Sequence, residues 1–327
     1  MELFAYTRAT DAEQAINTAT SKDVRFIAGG TTLLDLMKLD VERPAQLIDI
    51  NRIGLDAIEK LPTGTLRIGA LVRNSDFAHH PIVQSDYPVL SQALLAGASA
   101  QLRNMATTGG NLLQRTRCMY FRNTAMPCNK RTPGTGCSAI EGDNRTLAIL
   151  GTSKDCIATN PSDMNVAFAA LEAVITVRSA SGSRDIPFGD FHLLPGTTPH
   201  LETVLVPGDL VTHVTLPAPR SKSKQVYLKL RDRASYEFAL ASAAIVAEVS
   251  DGKFSFIRVA LGGLGTKPWR SHEAEAALLH RPADIAMFHR AADAALRDAD
   301  PQSENGFKVE LAKRCITHAL TLATQSA

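Results

Sequence analysis

The sequence predicts an α+β protein of two or three domains, and three observations lead to this prediction. First, 327 residues at 45% hydrophobic composition are enough for more than one hydrophobic core. Second, before residue 217, short apolar strand-like runs alternate with helical segments and glycine pairs. Third, the charged, proline-containing segment 217–224 reads as a linker, after which three strand-like runs precede three helical ones.

Charge and hydropathy exclude several classes of function. The formal net charge is +2, and no sustained basic face with interleaved aromatic residues indicates nucleic-acid binding. The N-terminus has no apolar run behind a basic start, so we expect no signal peptide. No window reaches the ~18 uninterrupted apolar residues of a membrane helix. We therefore expect no membrane insertion and a reducing compartment, where disulfides poorly explain clustered cysteines.

The first element of interest is a strand, a glycine turn and a helix. The apolar run 24–28 predicts a buried strand, and Gly29-Gly30-Thr31-Thr32 follows it. Leu33, Leu36 and Met37 then have helical spacing. Two glycines allow a tight curl, and free N–H groups at a helix start attract anions, so this segment could cradle a phosphate. A plain strand-to-helix turn explains the same residues, and no G-x-G-x-x-G is present to decide.

A second glycine pair follows a strand at 66–71 and a helix near 90–97. Gly109-Gly110 lies between Thr107-Thr108 and Asn111, so the backbone could approach a ligand while hydroxyl and amide groups bind its polar edges. Two such turns in one domain favour one large ligand. A tight bend without a ligand remains the alternative.

The remaining elements follow from periodicity and end signals. Asn160-Pro161-Ser162-Asp163 opens a helix with apolar positions 164, 168, 171 and 175, where Asp163 either complements the helix dipole or contacts a ligand. A hairpin at 174–188 and a strand at 210–216 follow. Cys315 is expected as an inert core thiol of the last helix. After the linker, strands are expected near 226–230, 239–249 and 254–261, and helices near 272–280, 284–298 and 308–323.

Four of the five cysteines, Cys118, Cys128, Cys137 and Cys156, share one stretch that prolines and glycines interrupt repeatedly. This composition predicts a long ordered loop, which needs a functional reason. The stretch has no C-x-x-C pair, so a zinc knuckle is disfavoured, whereas widely spaced thiolates can surround an iron–sulfur cluster. Zinc and unliganded thiols remain open on the residues alone.

Taken together, the segments 26–34, 103–111 and 160–164 resemble the flavin-binding subunit of the xanthine dehydrogenase family of molybdenum hydroxylases. The resemblance covers essentially the whole chain. It is closest to the subgroup whose flavin subunit also carries a four-iron cluster, such as the bacterial periplasmic aldehyde oxidoreductases, and the four cysteines match the loop of that subgroup.

The resemblance implies a vanillyl-alcohol-oxidase-type (PCMH-like) FAD-binding fold. FAD-binding subdomains are then expected at 1–58 and 59–218, an iron–sulfur loop at 115–158 within the second, and a C-terminal α+β flavoprotein domain at 225–327. FAD would lie between the N-terminal pair and the C-terminal domain.

The resemblance also implies the residues of each cofactor site. The segment Ala28 to Leu34 would hold the pyrophosphate of FAD, and the four cysteines would ligate a [4Fe-4S] cluster. No catalytic residue is expected in this chain. The residues expected to bind FAD are Phe26, Ile27, Ala28, Gly29, Gly30, Thr31, Thr32, Leu33, Leu34, Thr108, Gly110, Asn111, Ile157, Asp163, Leu216 and Lys229.

The implied function is an electron outlet. In such enzymes an aldehyde is oxidised at a molybdenum cofactor in a large subunit, and electrons pass through two [2Fe-2S] clusters of a small subunit to FAD and then to an external acceptor. The [4Fe-4S] cluster is expected chiefly to order its loop. The compartment would be periplasmic by export with a partner, or otherwise cytoplasmic. The alternatives are a hydroxybenzoyl-CoA reductase-like flavin subunit and a stand-alone flavin- or metal-binding module.

Overall fold

The computed structural model describes residues 1–19, 21 and 23–325, and these residues form three β-sheets with helices between and around them. No helix in this part of the chain has both the length and the apolar character needed to cross a membrane. The strands are β1 (Ala5–Arg8), β2 (Val24–Ile27), β3 (Gln46–Asp49), β4 (Ile58–Lys60), β5 (Leu66–Gly69), β6 (Val174–Ser179), β7 (Gly182–Pro187), β8 (Leu210–Leu216), β9 (Lys224–Leu230), β10 (Ala241–Ser250), β11 (Lys253–Gly262) and β12 (Trp269–Arg270). The helices are α1 (Ala12–Thr18), α2 (Leu33–Lys38), α3 (Asn74–His79), α4 (Pro81–Asp86), α5 (Pro88–Ala96), α6 (Ala100–Met105), α7 (Thr108–Leu112), α8 (Met119–Arg122), α9 (Asp163–Leu171), α10 (Phe188–Phe191), α11 (His272–Leu278), α12 (Ile285–Ala295) and α13 (Phe307–Thr324).

The first sheet is parallel and has the strand order β1-β3-β2. Helix α1 covers it, and Asp11 caps this helix by accepting a hydrogen bond from the N–H of Gln14 at 2.8 Å. Ile16 and Ile48 form part of the core beneath. The first glycine segment leaves the carboxyl end of β2, as predicted, and α2 follows it.

The second sheet is antiparallel, in the order β4-β5-β8-β6-β7. Its core contains Phe168 of α9 and Ile175, both fully buried. The expectation that Ile175 continues α9 is wrong. The helix ends at Glu172, which adopts a left-handed conformation with φ +54°, and Ile175 lies in β6 instead.

The third sheet is antiparallel, in the order β12-β11-β10-β9, and both of its faces are buried. Alternate residues of β10 point to opposite faces, as in any strand. Ala243 and Ile245 pack in one core with α11, α12 and α13. Ala244 and Val246 pack in the other core with α5 and α9 of the N-terminal part. The strands and helices predicted after the linker are all present.

The long loop between α7 and α9 has the single-turn helix α8 as its only helix or named strand, so the predicted loop is confirmed. The loop folds over a small core of its own. Phe121 is fully buried there, and Leu36 of α2 joins it. The loop is thereby packed against the helix that follows the first glycine segment.

Candidate functional site

The first glycine segment presents unpaired backbone donors. Gly30 has φ +70°, which glycine adopts without a steric cost. The carbonyls of Gly30 and Thr32 accept hydrogen bonds from the N–H groups of Leu34 and Leu36, at 3.0 and 3.1 Å. Within the described residues, the N–H groups of Gly30, Thr31 and Thr32 have no acceptor. Three adjacent free donors before a helix fit an anionic group such as a phosphate.

Gly29 has a different role from Gly30. A Cβ atom at Gly29 would lie 1.9 Å from the carbonyl oxygen of Met105, at the end of α6. The first glycine segment therefore passes directly against the segment that leads to the second glycine pair. Arg73 also donates to this Met105 carbonyl. Gly29 is thus required by protein packing, and it also lines the smaller of the two cavities described below.

The second glycine pair lies in the one-turn helix α7 and not in the predicted turn. Thr107 caps this helix and accepts a hydrogen bond from the N–H of Gly110 at 3.2 Å. Gly109 packs on Ala70, whose Cβ would be 3.1 Å from an added methyl group. Asn111 accepts a hydrogen bond from Ser162 at 2.8 Å, which ties α7 to the start of α9.

Two neighbouring cavities are lined by residues of both glycine segments, and their volumes are about 580 Å³ and about 260 Å³. Thr31, Thr32 and Gly110 line both of them, so the two cavities meet at the glycine segments. Their combined size suits a large cofactor. Phe26 to Leu33 line the smaller cavity, and the larger one is lined by Asn111, Asp163 and Lys229 among others.

Four residues expected at the FAD site are not among the described lining residues. Thr108 is fully buried and donates to the carbonyl of Val72 at 3.2 Å. Leu34 packs beneath Gly30. Ile157 lies in the core of the cysteine loop, and Leu216 lies in the core of the second sheet. Three of these side chains are apolar and Thr108 has a hydrogen-bond partner within the protein, so all four can be buried in a protein core without a ligand.

Asp163 is a buried polar residue of the larger cavity that is paired on both carboxylate oxygens. Its carboxylate accepts hydrogen bonds from the hydroxyl of Tyr227 at 2.5 Å and from Nζ of Lys229 at 2.8 Å. Lys229 also donates to the carbonyl of Ala96 at 3.1 Å. The Asp163 and Lys229 side chains are only 8% and 4% exposed, and such buried charges require pairing. Burial and the neighbouring carboxylate raise the pKa of Tyr227 well above its usual value, so the phenol remains a donor.

Sequence reasoning missed Tyr227, a hydrogen-bond donor to Asp163 that is not among the described lining residues of the larger cavity, and several residues that do line it. Tyr227 could have been found, because residues two apart on a strand share a face and Lys229 was already expected there. Asn74, Arg117 and Arg122 carried no pattern that indicated a site. Asn74 is 4% exposed, lines the cavity, and has an amide oxygen with no donor among the described residues. A buried unpaired oxygen on a cavity wall fits a ligand that donates to it.

The four clustered cysteines are free thiols in one small core, three of them buried and Cys137 half-buried. Cys128 and Cys137 face each other as antiparallel bridge partners. The nearby backbone N–H groups of Tyr120 and Phe121 favour the thiolate form of Cys118, and that of Ala158 favours the thiolate form of Cys156. Burial raises the pKa of Cys118 and of Cys156 to about 11, so both are protonated as free thiols.

The cysteine core can be compared with a site for a single metal ion. In the described part of the chain, no three His, Cys, Asp or Glu side chains converge on a point that could hold one metal ion. Thiolates that share one core can also ligate a cluster of several iron atoms. Cys315 lies apart, 1% exposed in the C-terminal core, as expected of an inert thiol.

Comparison with known proteins identifies the family. Residues 2–219 match the FAD-binding domain of molybdopterin dehydrogenases, and residues 226–323 match the C-terminal domain of CO dehydrogenase flavoproteins. The aldehyde oxidoreductase FAD-binding subunit PaoB of Escherichia coli (strain K12) is 52% identical over the full length of both chains. The glyceraldehyde dehydrogenase medium chain of Sulfolobus acidocaldarius is 31% identical, over 83% of this chain and 79% of that one.

The solved structures agree with the sequence relatives. A chain of carbon monoxide dehydrogenase from Hydrogenophaga pseudoflava superposes with a TM-score of 0.78 at 27% identity, covering 98% of this chain and 97% of that one. The fold is thus the expected α+β FAD-binding fold with a C-terminal flavoprotein domain. The chain belongs to the FAD-binding subunits of the molybdopterin dehydrogenases, within the xanthine dehydrogenase family of molybdenum hydroxylases, and is an oxidoreductase subunit.

Proposed function

We propose that FAD occupies the two neighbouring cavities, with its pyrophosphate at the first glycine segment. The free N–H groups of Gly30, Thr31 and Thr32 support this placement, because they match the oxygens of a diphosphate. Gly110, Asn111 and Asp163 would line the flavin part, and the C-terminal sheet would contribute Lys229. Thr108 and Leu34 adjoin the glycine segments, whereas Ile157 and Leu216 lie in packed cores and are not among the described residues that line either cavity.

Bound FAD would supply the capacity to accept electrons singly and to release them to a further acceptor. The protein's part is to hold and orient the cofactor. Asp163 would do this from a fixed position, since Tyr227 and Lys229 restrain both of its oxygens. None of these residues acts as an acid or base on an aldehyde.

The chain is proposed to be the flavin subunit of a heterotrimeric molybdenum-dependent aldehyde oxidoreductase. The single observation that carries this is the 52% identity, over the full length of both chains, to an aldehyde oxidoreductase FAD-binding subunit. The partners would be a small subunit with two [2Fe-2S] clusters and a large subunit with the molybdenum cofactor, where the aldehyde is oxidised. Export together with a partner would place the complex in the periplasm.

Co-production of the chain with both partners tests this proposal. The complex should purify as a heterotrimer, contain FAD, and reduce an added acceptor when an aldehyde is supplied. Cell fractionation of the same material tests the periplasmic location. Reduction of a hydroxybenzoyl-CoA by a supplied electron donor, without activity towards aldehydes, would instead support the hydroxybenzoyl-CoA reductase branch. A chain that carries out its reaction alone would contradict the partnered function.

The four clustered cysteines are proposed to ligate a [4Fe-4S] cluster. The core that the four thiols share supports this assignment, and nearby backbone N–H groups favour the thiolate forms of Cys118 and Cys156. Analysis of the purified chain for iron and acid-labile sulfide tests it, together with the absorption spectrum. A colourless protein, or zinc in place of iron, would overturn the assignment.

The division into units at 1–58, 59–218 and 225–327 is proposed on the basis of the three sheets. The first boundary falls at the start of β4, where the chain enters the second sheet, and Ile58, the last residue of the first unit, pairs with Ile68 of that sheet. The linker between the second and third units lies between the two segments matched by family models. Residues 326 and 327 of the last unit lie outside the described residues.

A further inference from the structure

Two arginines of the cysteine loop lie on the wall of the larger cavity. Arg122 binds the carboxylate of Asp35 through two nitrogens, at 2.8 and 3.1 Å, and Arg117 binds it at 3.3 Å. Asp35 belongs to the first turn of α2, immediately after the first glycine segment. All three side chains line the cavity together with Thr31 and Thr32. The arginines therefore line the same cavity as Thr31 and Thr32, two of the residues whose free N–H groups are proposed to receive the pyrophosphate of FAD.

Arg117 and Arg122 carry more positive charge than the described carboxylates beside them neutralise. Two guanidinium groups share the one carboxylate of Asp35, and the nearby carboxylate of Glu237 pairs with Arg233 at 3.2 Å. Arg117 also lies over the ring of Phe238, at 5.2 Å from its centroid. Its Nε atom is buried and has no acceptor among the described residues. An anionic group in the cavity would complete both the charge balance and the hydrogen bonding.

We propose that Arg117 and Arg122 complete the diphosphate subsite for FAD, so that ordering of the cysteine loop and binding of FAD strengthen each other. This inference rests on the proposed FAD site and adds to it two side chains and a link to the cysteines. A diphosphate carries the negative charge needed to neutralise the second guanidinium group, because Asp35 neutralises only one. The planar guanidinium also matches the geometry of phosphate oxygens.

The position of both arginines depends on the cysteine core. Arg117 directly precedes Cys118, and Arg122 ends α8, the helix of four residues that follows Cys118. One helical turn is not stable by itself, so tertiary contacts must hold it. Phe121 of this turn is fully buried in the cysteine core. Arg131, from the next part of the loop, donates to the carbonyls of Tyr120 and Phe121 at 2.8 Å each.

A second set of contacts holds the start of the loop. Arg115 binds Glu42, which follows α2, at 2.5 Å and Glu202 at 2.6 Å. Lys130, two residues after Cys128, binds the same Glu202 at 2.9 Å. The loop thus reaches the neighbourhood of α2 through its own ordered contacts. If those contacts form only when the loop is ordered, ordering of the loop increases the affinity for FAD. Binding of FAD must then favour the ordered loop by the same free energy.

Titration of the flavin-depleted full chain with FAD tests the diphosphate subsite. Arg117→Gln and Arg122→Gln should each weaken FAD binding by about tenfold, the low end for a lost hydrogen bond to a charged group. They should also reduce the dependence of the dissociation constant on salt concentration, because cations that contact phosphates cause that dependence. Arg122→Lys should regain part of the affinity.

The matched control is Arg145→Gln. Arg145 belongs to the same loop but pairs with Asp232 at the surface, at 2.8 and 3.0 Å, and does not line the larger cavity. This variant should bind FAD like the wild type. Unchanged affinity and salt dependence in both the Arg117 and Arg122 variants would overturn the inference while leaving the proposed FAD site intact. A wild-type chain that fails to bind FAD would overturn the proposed function itself.

A double-mutant cycle tests the coupling to the loop. Cys118→Ser should weaken FAD binding about as much as Arg122→Gln, and Arg122→Gln should add little in the Cys118→Ser background, because both changes remove the same contact. Removal of iron from the wild type with a chelator, followed by titration, provides the same comparison without a mutation. Additive effects in the cycle, together with unchanged affinity after chelation, would overturn the coupling.

Discussion

Asp163 and Lys229 show what one buried charge requires of its neighbours. Lys229→Met would leave the Asp163 carboxylate buried without its cation. Among the described residues, the Tyr227 hydroxyl would then be its remaining side-chain hydrogen-bond donor. We expect this to lower the free energy of unfolding by about 3–5 kcal/mol. Urea unfolding measures the loss. Lys313→Met is the control, since Lys313 and Asp293 are 34% and 65% exposed and the change should cost less than about 1 kcal/mol.

His192 makes the fold sensitive to acid. Burial lowers its pKa to about 4, from 6.5, and its ring packs against Phe188 and Phe191. The unfolded state therefore binds more protons between pH 6.5 and 4, so stability falls as the pH drops through this window. Between pH 6.5 and 5 the loss is about 2 kcal/mol. Urea unfolding at both pH values should show a smaller loss for His192→Phe, and an equal loss in both proteins would contradict this cause.

At the scale of elements, the contact of Gly29 with the Met105 carbonyl determines how closely the first glycine segment can pack against α6. Gly29→Ala would place a methyl group 1.9 Å from the Met105 carbonyl, so α6 and the first glycine segment must separate. We expect a loss of about 3 kcal/mol or more in stability, together with weakened FAD binding. Gly306→Ala, at an open position with φ −57°, should be neutral or slightly stabilising. Equal behaviour of the two variants in thermal unfolding would refute the packing argument.

The cysteine loop lacks the regular hydrogen bonding that would order it alone. Cys137→Ser should therefore lower iron content, thermal stability and assembly more than the intrinsic reactivity of the flavin. Iron analysis, thermal unfolding and stopped-flow reduction of the flavin measure these effects separately. Cys315→Ala, in the C-terminal core, should retain the iron. A stable and fully assembled Cys137 variant with slow flavin reduction would contradict a structural role of the cluster.

At the scale of the whole molecule, the third sheet joins the N- and C-terminal parts. Tyr227, Ala244 and Ala260 of this sheet belong to the core that α5 and α9 complete. A separate fragment 225–327 would expose this apolar face. We expect the fragment to bind a hydrophobic dye and to unfold without a cooperative transition. A monomeric fragment that unfolds cooperatively and binds no dye would show that the sheet needs no partner.

Sequence periodicity located the long elements well and the short ones poorly. The strand at 210–216 and the last helix have strong patterns and clear ends, so their bounds were predicted closely. The strand Gln46–Asp49 and the short helices α3 and α4 were not predicted, because four to six residues carry too little pattern. The Gly109-Gly110 pair was expected in a turn, whereas the Thr107 cap and packing on Ala70 hold it in a short helix.

The sequence by itself determined the long elements, the glycine segments and the cysteine loop, because these depend on local composition and spacing, and its resemblance to known proteins indicated the family. Only the tertiary structure decided which residues meet. It brought Asp163 to Tyr227 and Lys229 of a distant strand, and it moved Ile157 and Leu216 away from the cavities. It also placed Arg117 and Arg122 on the cavity wall beside Asp35. The reason is physical, since burial and charge pairing act between residues that are far apart in the chain.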